Sequence, residues 1–175
     1  MANWKIDPAH TEIAFKVKHL MISNVRGYFK EFDGTIMMPD DNFANASISF
    51  TANTSSVDTN NSMRDEHLRS ADFFDSEKFP TLSFVSKSIT SLGENNFSVV
   101  GDLTMHGVTK EVTLNTVLNG RVVDAYGNNV ISFDVSGSLN RTDFGLVWNA
   151  AIETGGVVVS EEVKLEINAE FKEEK

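Results

Sequence analysis

Hydrophobic and polar residues alternate with a period of two along most of this chain. Such alternation places successive side chains on opposite faces of extended strands, whereas helical periodicity is scarce here. The hydrophobic positions of the alternating runs are Ile13, Phe15 and Val17; Ile48 and Phe50; Leu82 and Phe84; Phe97, Val99, Leu103 and Met105; Val112 and Leu114; Ile131, Phe133, Val135 and Leu139; and Val163, Leu165, Ile167, Ala169 and Phe171. Roughly eight such strands predict an all-β, antiparallel sheet with one dry face, which must close on itself or form a sandwich.

The sequence also predicts the register of one hairpin. A two-residue His106-Gly107 turn sets Val99 opposite Leu114, so that the hydrophobic faces of the two strands agree. The same register sets Asp102 opposite Glu111, which is an unfavourable pair of like charges. The i,i+4 spacing of Asp102 and His106 would also suit a shared catalytic face. We favour the turn, because a histidine that precedes glycine tolerates positive φ.

The stretch SMRDEHLRSADFF, residues 62–74, interrupts the alternation. Met63, His67 and Ala71 lie four residues apart in it, as on one stripe of a helix. We therefore predict a short helix over residues 61–70 that lies across the sheet or its mouth.

The charged residues of this helix fit either a catalytic site or a scaffold. A site could consist of Arg64, Asp65, His67 and Arg69. Arg64 with Asp65 or Glu66 equally fits a salt-bridged clamp that ties the helix to the sheet. A histidine on a packed helix stripe is more often a hydrogen-bonded packing residue than a base. We interpret these residues as scaffold.

Composition and charge narrow the class of protein. The chain has 175 residues, of which 41% are hydrophobic, and this fits one domain over residues 1–175 with a sizeable core. A formal charge of −10 would repel nucleic-acid phosphates and anionic lipid surfaces, so nucleic acid is excluded as a partner class. The absence of Cys excludes disulfides, thiol catalysis and thiolate metal sites.

The N-terminus MANWKIDPAH lacks the basic start and apolar run of a secretory signal. No segment approaches the ~20 apolar residues that span a bilayer. We expect a soluble cytoplasmic protein without stable membrane insertion, or a periplasmic one if an export signal has been removed.

The spacing of the four histidines argues against metal binding. No H-E-x-x-H occurs, and His10 and His19 differ by nine, an odd number that sends them to opposite faces of one strand. Convergence of three histidines in the fold stays open. The chain also lacks a G-x-S-x-G elbow and a phosphate-binding Gly-rich loop, and Gly155-Gly156 opens a strand of valines. We predict no metal and no catalytic residue.

Four long segments carry a resemblance to a known family. They are WKIDPAHTEIAFKVKHLMISNVRGYFKEFDGTI, SVDTNNSMRDEHLRSADFFDSEKFPTLSF, GDLTMHGVTKEVTL, and NRTDFGLVWN with the following GGVVVSEEVKLEI. Together they resemble the YceI-like family, also called polyisoprenoid-binding proteins, over essentially the whole chain. The resemblance implies an extended lipocalin-like fold: an antiparallel eight-stranded β-barrel with a short helix packed over it and an apolar tunnel inside.

The resemblance also implies a long-chain amphiphilic ligand, such as a polyisoprenoid, an isoprenoid quinone, or a fatty acid or amide. We predict that the protein carries or stores such a lipid without catalysis and without a cofactor. The residues expected to line the tunnel are Phe15, Val17, Phe50, Phe84, Leu103, Phe133, Leu165 and Ile167. The residues expected to hold the head group are His19, Arg26, Arg64 and His67. Turn and cap roles are expected for the other matching positions, Asp7, His10, Asp58, Thr59, Gly101, Gly107, Arg141 and Gly145.

Two other functions stay open at this point. One is an enzyme, with or without a metal, that uses His10, His19, His67 or His106 together with Asp65 or Glu66. The other is a stress-related or assembly protein with a vestigial cavity. A homodimer is compatible with the sequence, but no surface pattern decides it.

Overall fold

Eleven strands and one α-helix form the regular structure of the described residues, apart from short 3-10 turns. The structure is a computed structural model that describes residues 2–150 and 158–175, so the predicted Gly155-Gly156 strand start lies outside the described residues. The strands are β1 (Ala2–Ile6), β2 (Glu12–His19), β3 (Ser23–Phe29), β4 (Phe32–Met38), β5 (Ser47–Asn53), β6 (Val57–Asp58), β7 (Thr81–Gly93), β8 (Asn96–Met105), β9 (Val108–Val123), β10 (Asn129–Asn140) and β11 (Glu162–Glu173). The helix α1 is Ser62–Arg69.

These eleven segments form eight barrel strands, because three of the eight are interrupted. β1 and β2 are two halves of one strand, broken by a 3-10 turn at Pro8–His10, and both halves pair with β11. β5 and β6 are likewise separated by a 3-10 turn, at Thr54–Ser56, and β3 and β4 by two residues without one. β4 pairs with β1 and β5, whereas β3 pairs with β2 and β6. The sheet continues through β7, β8, β9 and β10 to β11, which closes it. The predicted all-β, antiparallel, eight-stranded barrel is confirmed.

The hairpin between β8 and β9 has the predicted register, with Val99 opposite Leu114. Both residues of its turn have positive φ, 56° and 74°. The predicted like-charge pair is also present, but a lysine lies between the two carboxylates: Lys87 Nζ is 3.7 Å from Asp102 Oδ1 and 2.9 Å from Glu111 Oε2. Lys87 comes from β7, next to a β-bulge in that strand. The bulge thus supplies the counter-charge that the two-strand prediction lacked.

The barrel interior is packed at one end and hollow at the other. Along β10, Ile131 and Phe133 are almost completely buried, whereas the inward residues Val135 and Leu139 are only half-buried. β11 shows the same change, from the buried Phe171 to a half-buried inward face in its first half. The packed end is filled by Trp4, Ile36, Met38, Phe43 and Phe97. Inward side chains near the other end therefore face open space instead of one another.

The helix predicted over residues 61–70 is confirmed, but its predicted packing stripe is correct only in part. Asn61 caps α1, with its side-chain oxygen accepting a hydrogen bond from a backbone amide in the first turn at 3.1 Å. Met63 and Ala71 are exposed, and the buried residue of the helix is Asp65. His67, at the centre of the predicted stripe, is half-buried, so the stripe is correct there and wrong at its two ends.

Candidate ligand cavity

The hollow end of the barrel encloses a cavity of about 620 Å³. Small-molecule sites commonly measure about 300–1,000 Å³, so the cavity has the size of a ligand site. Lys18, Asn61 and Met63 line it and are exposed to solvent. The mouth therefore lies between the end of β2 and the N-terminus of α1.

Apolar side chains form most of the cavity wall. All eight residues predicted to line a tunnel are on it: Phe15, Val17, Phe50, Phe84, Leu103, Phe133, Leu165 and Ile167. They come from six different strands, so the wall exists only in the closed barrel. Their contact with a ligand stays a prediction.

A glycine opposite an aromatic ring helps to keep the lumen open. A Cβ atom placed on Gly101 would lie 2.5 Å from Cζ of Phe84, so only glycine allows this ring to lie flat against the sheet. Phe15 lies over Gly27 in the same way, as its partner in the β2–β3 ladder. Both rings therefore cover the barrel wall and leave the centre free.

Cationic and imidazole side chains gather toward the mouth of the cavity. The set consists of Lys18, His19, Arg64, His67 and Arg141. No Asp or Glu is among the lining residues within the described part of the chain, although the protein has 25 of them and a net charge of −10. The cavity thus has the opposite charge bias from the protein as a whole.

Arg64 is held in place by Thr59 at the start of α1. Its Nε donates to Thr59 Oγ1 at 2.7 Å and its Nη2 donates to the Thr59 carbonyl at 2.7 Å. Asp65 supports the same residue from the other side, because its Oδ1 accepts from the Thr59 amide at 2.8 Å and from the hydroxyl at 2.6 Å. The predicted clamp thus consists of hydrogen bonds through Thr59 and not of an ion pair with Asp65 or Glu66.

His67 lies at the mouth among aromatic rings. Its ring centroid is 5.0 Å from that of Phe73 and 4.7 Å from that of Trp148, both in edge-to-face geometry. Its Nε2 forms a 2.9 Å hydrogen bond with Oδ2 of Asp72. The imidazole therefore links α1 to the segment after β10, and Nδ1 is the ring nitrogen that Asp72 does not contact.

Arg141 is a buried cation at the same end of the barrel. Nε donates to the carbonyl of Ser160 at 2.8 Å, and Nη1 donates to those of Leu146 at 2.7 Å and Trp148 at 2.9 Å. Nη2 donates to the carbonyl of Val159 at 3.3 Å. Burial lowers the pKa of Arg141, partly opposed by the nearby charge of Glu161. The predicted turn or cap role of Arg141 did not include these hydrogen bonds to carbonyls at both ends of the 146–160 segment, and no sequence pattern indicated them.

Arg26 does not lie where the head-group prediction needs it. Val25 lines the cavity and Arg26 points to the outer face of β3, where Nη1 donates to Glu166 Oε2 at 2.5 Å. Period-two alternation explains the difference, because a residue next to an inward one on a strand points outward. His19, Arg64 and His67 do line the cavity, and their contact with a head group stays a prediction.

The four histidines occupy separate places. His106 lies in the β8–β9 turn, where its Nδ1 is 3.1 Å from the Phe144 carbonyl oxygen and its ring packs on Phe79. His10 lies on the outside of the barrel, where its Nδ1 is 2.9 Å from Asp7 Oδ2. Only His19 and His67 are among the cavity-lining residues.

Asp7, His10 and Glu170 form the one compact group of candidate metal ligands among the described residues. Lys172 Nζ lies 3.4 Å from Asp7 Oδ2 and occupies one side of this group with a positive charge. Hydrogen bonding to Asp7, with the negative charges of Asp7 and Glu170, raises the pKa of His10. Burial raises the pKa of Asp7, but hydrogen bonds from His10, the Ala9 amide and Lys172 outweigh it and lower the pKa overall. The group is therefore an ion-pair cluster.

This cluster predicts a pH-dependent stability. A raised His10 pKa adds stability that is complete below its ordinary value of 6.5 and is lost as pH rises through the folded value. We expect His10→Ala to reduce the free energy of unfolding more at about pH 5.5 than at about pH 8.5. Urea unfolding at both values measures this difference.

Lys5→Ala serves as the control, because it breaks an exposed ion pair, Lys5 Nζ to Asp33 Oδ2 at 3.1 Å, that contains no histidine. An effect of His10→Ala that is equal at the two pH values would contradict the assigned ion pair.

A closed antiparallel barrel with an apolar cavity defines a lipocalin-like fold. Similarity to known proteins agrees with this class. The model of the YceI-like domain matches residues 4–171. The UPF0312 protein SAS2572 of Staphylococcus aureus (strain MSSA476) is 39% identical over 172 residues, which cover 98% of each chain. The chain belongs to the YceI-like domain family, as its motifs predicted.

Solved structures share the fold. A Campylobacter jejuni YCEI protein is 32% identical, with a TM-score of 0.78 over 97% of this chain and 96% of that one. A polyisoprenoid binding domain from Saccharophagus degradans is 15% identical, with a TM-score of 0.68 over 97% of each chain. The predicted lipocalin-like fold is therefore confirmed.

Proposed function

We propose that this protein binds one long-chain amphiphilic lipid in the barrel cavity and carries or stores it without catalysis. The tail lies along the apolar wall, and the head group lies at the mouth near His19, Arg64 and His67. The observation that carries this proposal is the joint occurrence, in one cavity, of an apolar wall and a mouth lined by cationic residues, with no Asp or Glu among the described lining residues.

The apolar wall supports a long unbranched or isoprenoid tail. Each CH₂ group that leaves water contributes about 0.8 kcal/mol, so a tail can bind tightly with few polar contacts. The half-buried residues of β10 and β11 are the surfaces that a tail would cover. The polyisoprenoid binding domain of S. degradans has the same fold and, by its name, binds a ligand of this type.

The charge at the mouth favours an anionic head group over a neutral one. Arg64 uses Nε and Nη2 for Thr59, and within the described residues Nη1 forms no hydrogen bond. An arginine nitrogen of this kind can donate to a carboxylate or a phosphate. A fatty acid or a polyprenyl phosphate therefore fits this mouth better than a neutral isoprenoid quinone.

The positions of the histidines support binding without catalysis. The alternative enzyme would need one of its histidines, assisted by Asp65 or Glu66, within hydrogen-bonding reach of the substrate. His10 and His106 lie outside the cavity lining, and neither Asp65 nor Glu66 is on it. A bound lipid should accordingly be recovered unchanged after prolonged incubation with the protein.

Head-group selectivity tests the proposal. We expect a long-chain fatty acid to bind about tenfold more tightly than its methyl ester, because the ester keeps the tail and loses the charge. Arg64→Met should abolish most of this ratio, as measured by titration calorimetry with both ligands. The ratio is informative even if Arg64→Met weakens all binding, because a general loss of affinity would affect the acid and the ester equally.

Arg26→Met is the matched control, because Arg26 lies on the outer face and should leave the ratio unchanged. Equal affinity for acid and ester in the wild-type protein would overturn the head-group assignment. Turnover of either ligand would instead favour the enzyme.

The proposal does not depend on where in the cell the protein is located or on whether it forms a dimer. Among the described residues, no helix combines the length and hydrophobicity of a membrane-spanning helix. The cytoplasmic or periplasmic location and the homodimer stay predictions.

A further inference from the structure

The three-residue loop between β2 and β3 lies at the cavity mouth. It consists of Leu20, Met21 and Ile22, and we call it the mouth loop. His19, which precedes it, lines the cavity, and the Leu20 amide donates to the Val158 carbonyl at 2.8 Å. The loop is therefore fixed to the rim by its first residue, while the rest projects beyond the barrel.

The backbone of the mouth loop does not suit its side chains. Leu20 and Met21 have φ of 52° and 65°, in the left-handed region that favours glycine, asparagine and aspartate. The remaining non-glycine residues with positive φ are all polar: Asp41, Asn60, Asp75, Glu94, Asn95 and His106. At this one turn of the described structure, apolar side chains stand where local conformation prefers Asn or Gly.

The side chains of the mouth loop gain little burial in return, although Leu20 is only 39% exposed. Met21 is 59% exposed and Ile22 is 84% exposed. Two further apolar residues of the rim are exposed in the same way, Met63 at the start of α1 and Val147 between the cavity-lining Leu146 and Trp148. Exposed apolar side chains thus lie next to cavity-lining residues after β2, on α1 and after β10.

We propose that the mouth loop, with Met63 and Val147, docks on the surface of a lipid bilayer and places the cavity mouth at the level of the acyl chains. This inference rests on the proposed function, because a lipid ligand is dissolved in the bilayer and would otherwise cross water. We choose a bilayer as the partner because the exposed apolar residues of the rim adjoin the apolar wall of the cavity. Apolar side chains at an interface bind by the area that they bury there.

The charge of the protein specifies the kind of bilayer. A net charge of −10 would repel an anionic surface, so the docking must come from the apolar rim and not from electrostatic attraction. Phosphatidylcholine vesicles, which are zwitterionic, are therefore the appropriate probe. Binding to them should persist at high salt.

Replacement of the two left-handed residues separates docking from folding. Leu20→Asn with Met21→Gly removes two apolar side chains and supplies the residue pair that this turn conformation prefers. We expect vesicle association, measured by co-flotation of the ligand-free protein, to fall about tenfold or more. The urea midpoint of unfolding should stay the same or rise, since the new residues relieve the turn.

Val122→Asn with Val123→Asn is the matched control. These two valines are exposed as well, but they lie at the end of β9, where Val122 pairs with Val130 beside the packed end of the barrel. The control should float with vesicles as the wild type does. Equal flotation of the mouth-loop variant and the wild type would overturn the inference, and so would a concentration-dependent dimer that the mouth-loop substitutions abolish.

The outcomes distinguish this inference from the proposed function. A wild-type protein that binds a water-dispersed fatty acid but does not float with vesicles refutes the docking surface and leaves the lipid-binding function intact. A protein that floats but binds neither acid nor ester refutes the proposed function. If the mouth loop docks on the bilayer, the mouth-loop variant keeps its affinity for the dispersed fatty acid but takes up fatty acid from vesicles more slowly than the wild type.

Discussion

Val135→Trp should lower the affinity for a long-chain fatty acid about 100-fold while leaving the barrel folded. Val135 points inward from β10 at the hollow end of the barrel and is half-buried because it faces the cavity. A larger side chain at this position occupies space that a tail would otherwise fill. The measurement is titration calorimetry, with urea unfolding to establish that the variant is folded.

The magnitude follows from the length of tail that the indole displaces. If it excludes three or four methylene groups, at about 0.8 kcal/mol each, the loss is about 3 kcal/mol, or roughly a hundredfold in the dissociation constant. Overpacking in a filled core costs about 1–3 kcal/mol of stability. We expect less here, since Val135 adjoins an existing void of about 620 Å³.

Ser136→Trp is the matched control, because Ser136 is the next residue on the same strand and is exposed on the outer face. It adds the same indole without entering the barrel and should leave affinity within about twofold of the wild type. Unchanged affinity in a folded Val135→Trp variant would place the ligand elsewhere.

Arg141→Met should reduce the free energy of unfolding by about 3 kcal/mol or more. Arg141 is almost completely buried and donates to four backbone carbonyls on both sides of the segment that links β10 to β11. Methionine fills similar volume but cannot donate, so several buried carbonyls lose their partner. Urea unfolding followed by far-UV circular dichroism measures the loss.

Two further variants show whether the loss comes from the buried hydrogen bonds. Arg141→Lys should recover part of the stability, because an ammonium group reaches fewer of these carbonyls than a planar guanidinium. Arg121→Met, which removes an exposed arginine paired with Asp41, should cost no more than about 1 kcal/mol. A loss for Arg141→Met as small as for Arg121→Met would contradict the clamp.

The alternation of the sequence predicted most of the fold because it reports directly on which side of a strand faces the core. It gave the inward positions on β8, β10 and β11, and the β8–β9 register followed from one turn. It could not show that the inward residues pack at one end and enclose space at the other. Phe133 and Val135 are both inward positions of the same alternating strand. Phe133 is buried and Val135 is only half-buried, because residues from other strands pack against the first more completely than against the second.

The polar parts of the site were harder to predict, since their positions depend on tertiary contacts. Arg26 carries the residue type that a head group needs, yet its strand turns it outward. Asp65 was placed on the helix, but its burial follows from Thr59, which precedes the helix. Lys18 reaches the mouth only because β2 ends there. Residue type was enough to select candidate polar residues for the mouth, but only the folded barrel shows which of them lie there.

The most direct test of the proposed function is native mass spectrometry of the protein as purified from cells, followed by organic extraction of whatever is released. We predict one lipid per protein chain, with a long apolar tail and an anionic head group, displaced in the Val135→Trp variant. A protein that is empty after purification and that also fails to bind prenyl and acyl chains on titration would contradict the proposed function.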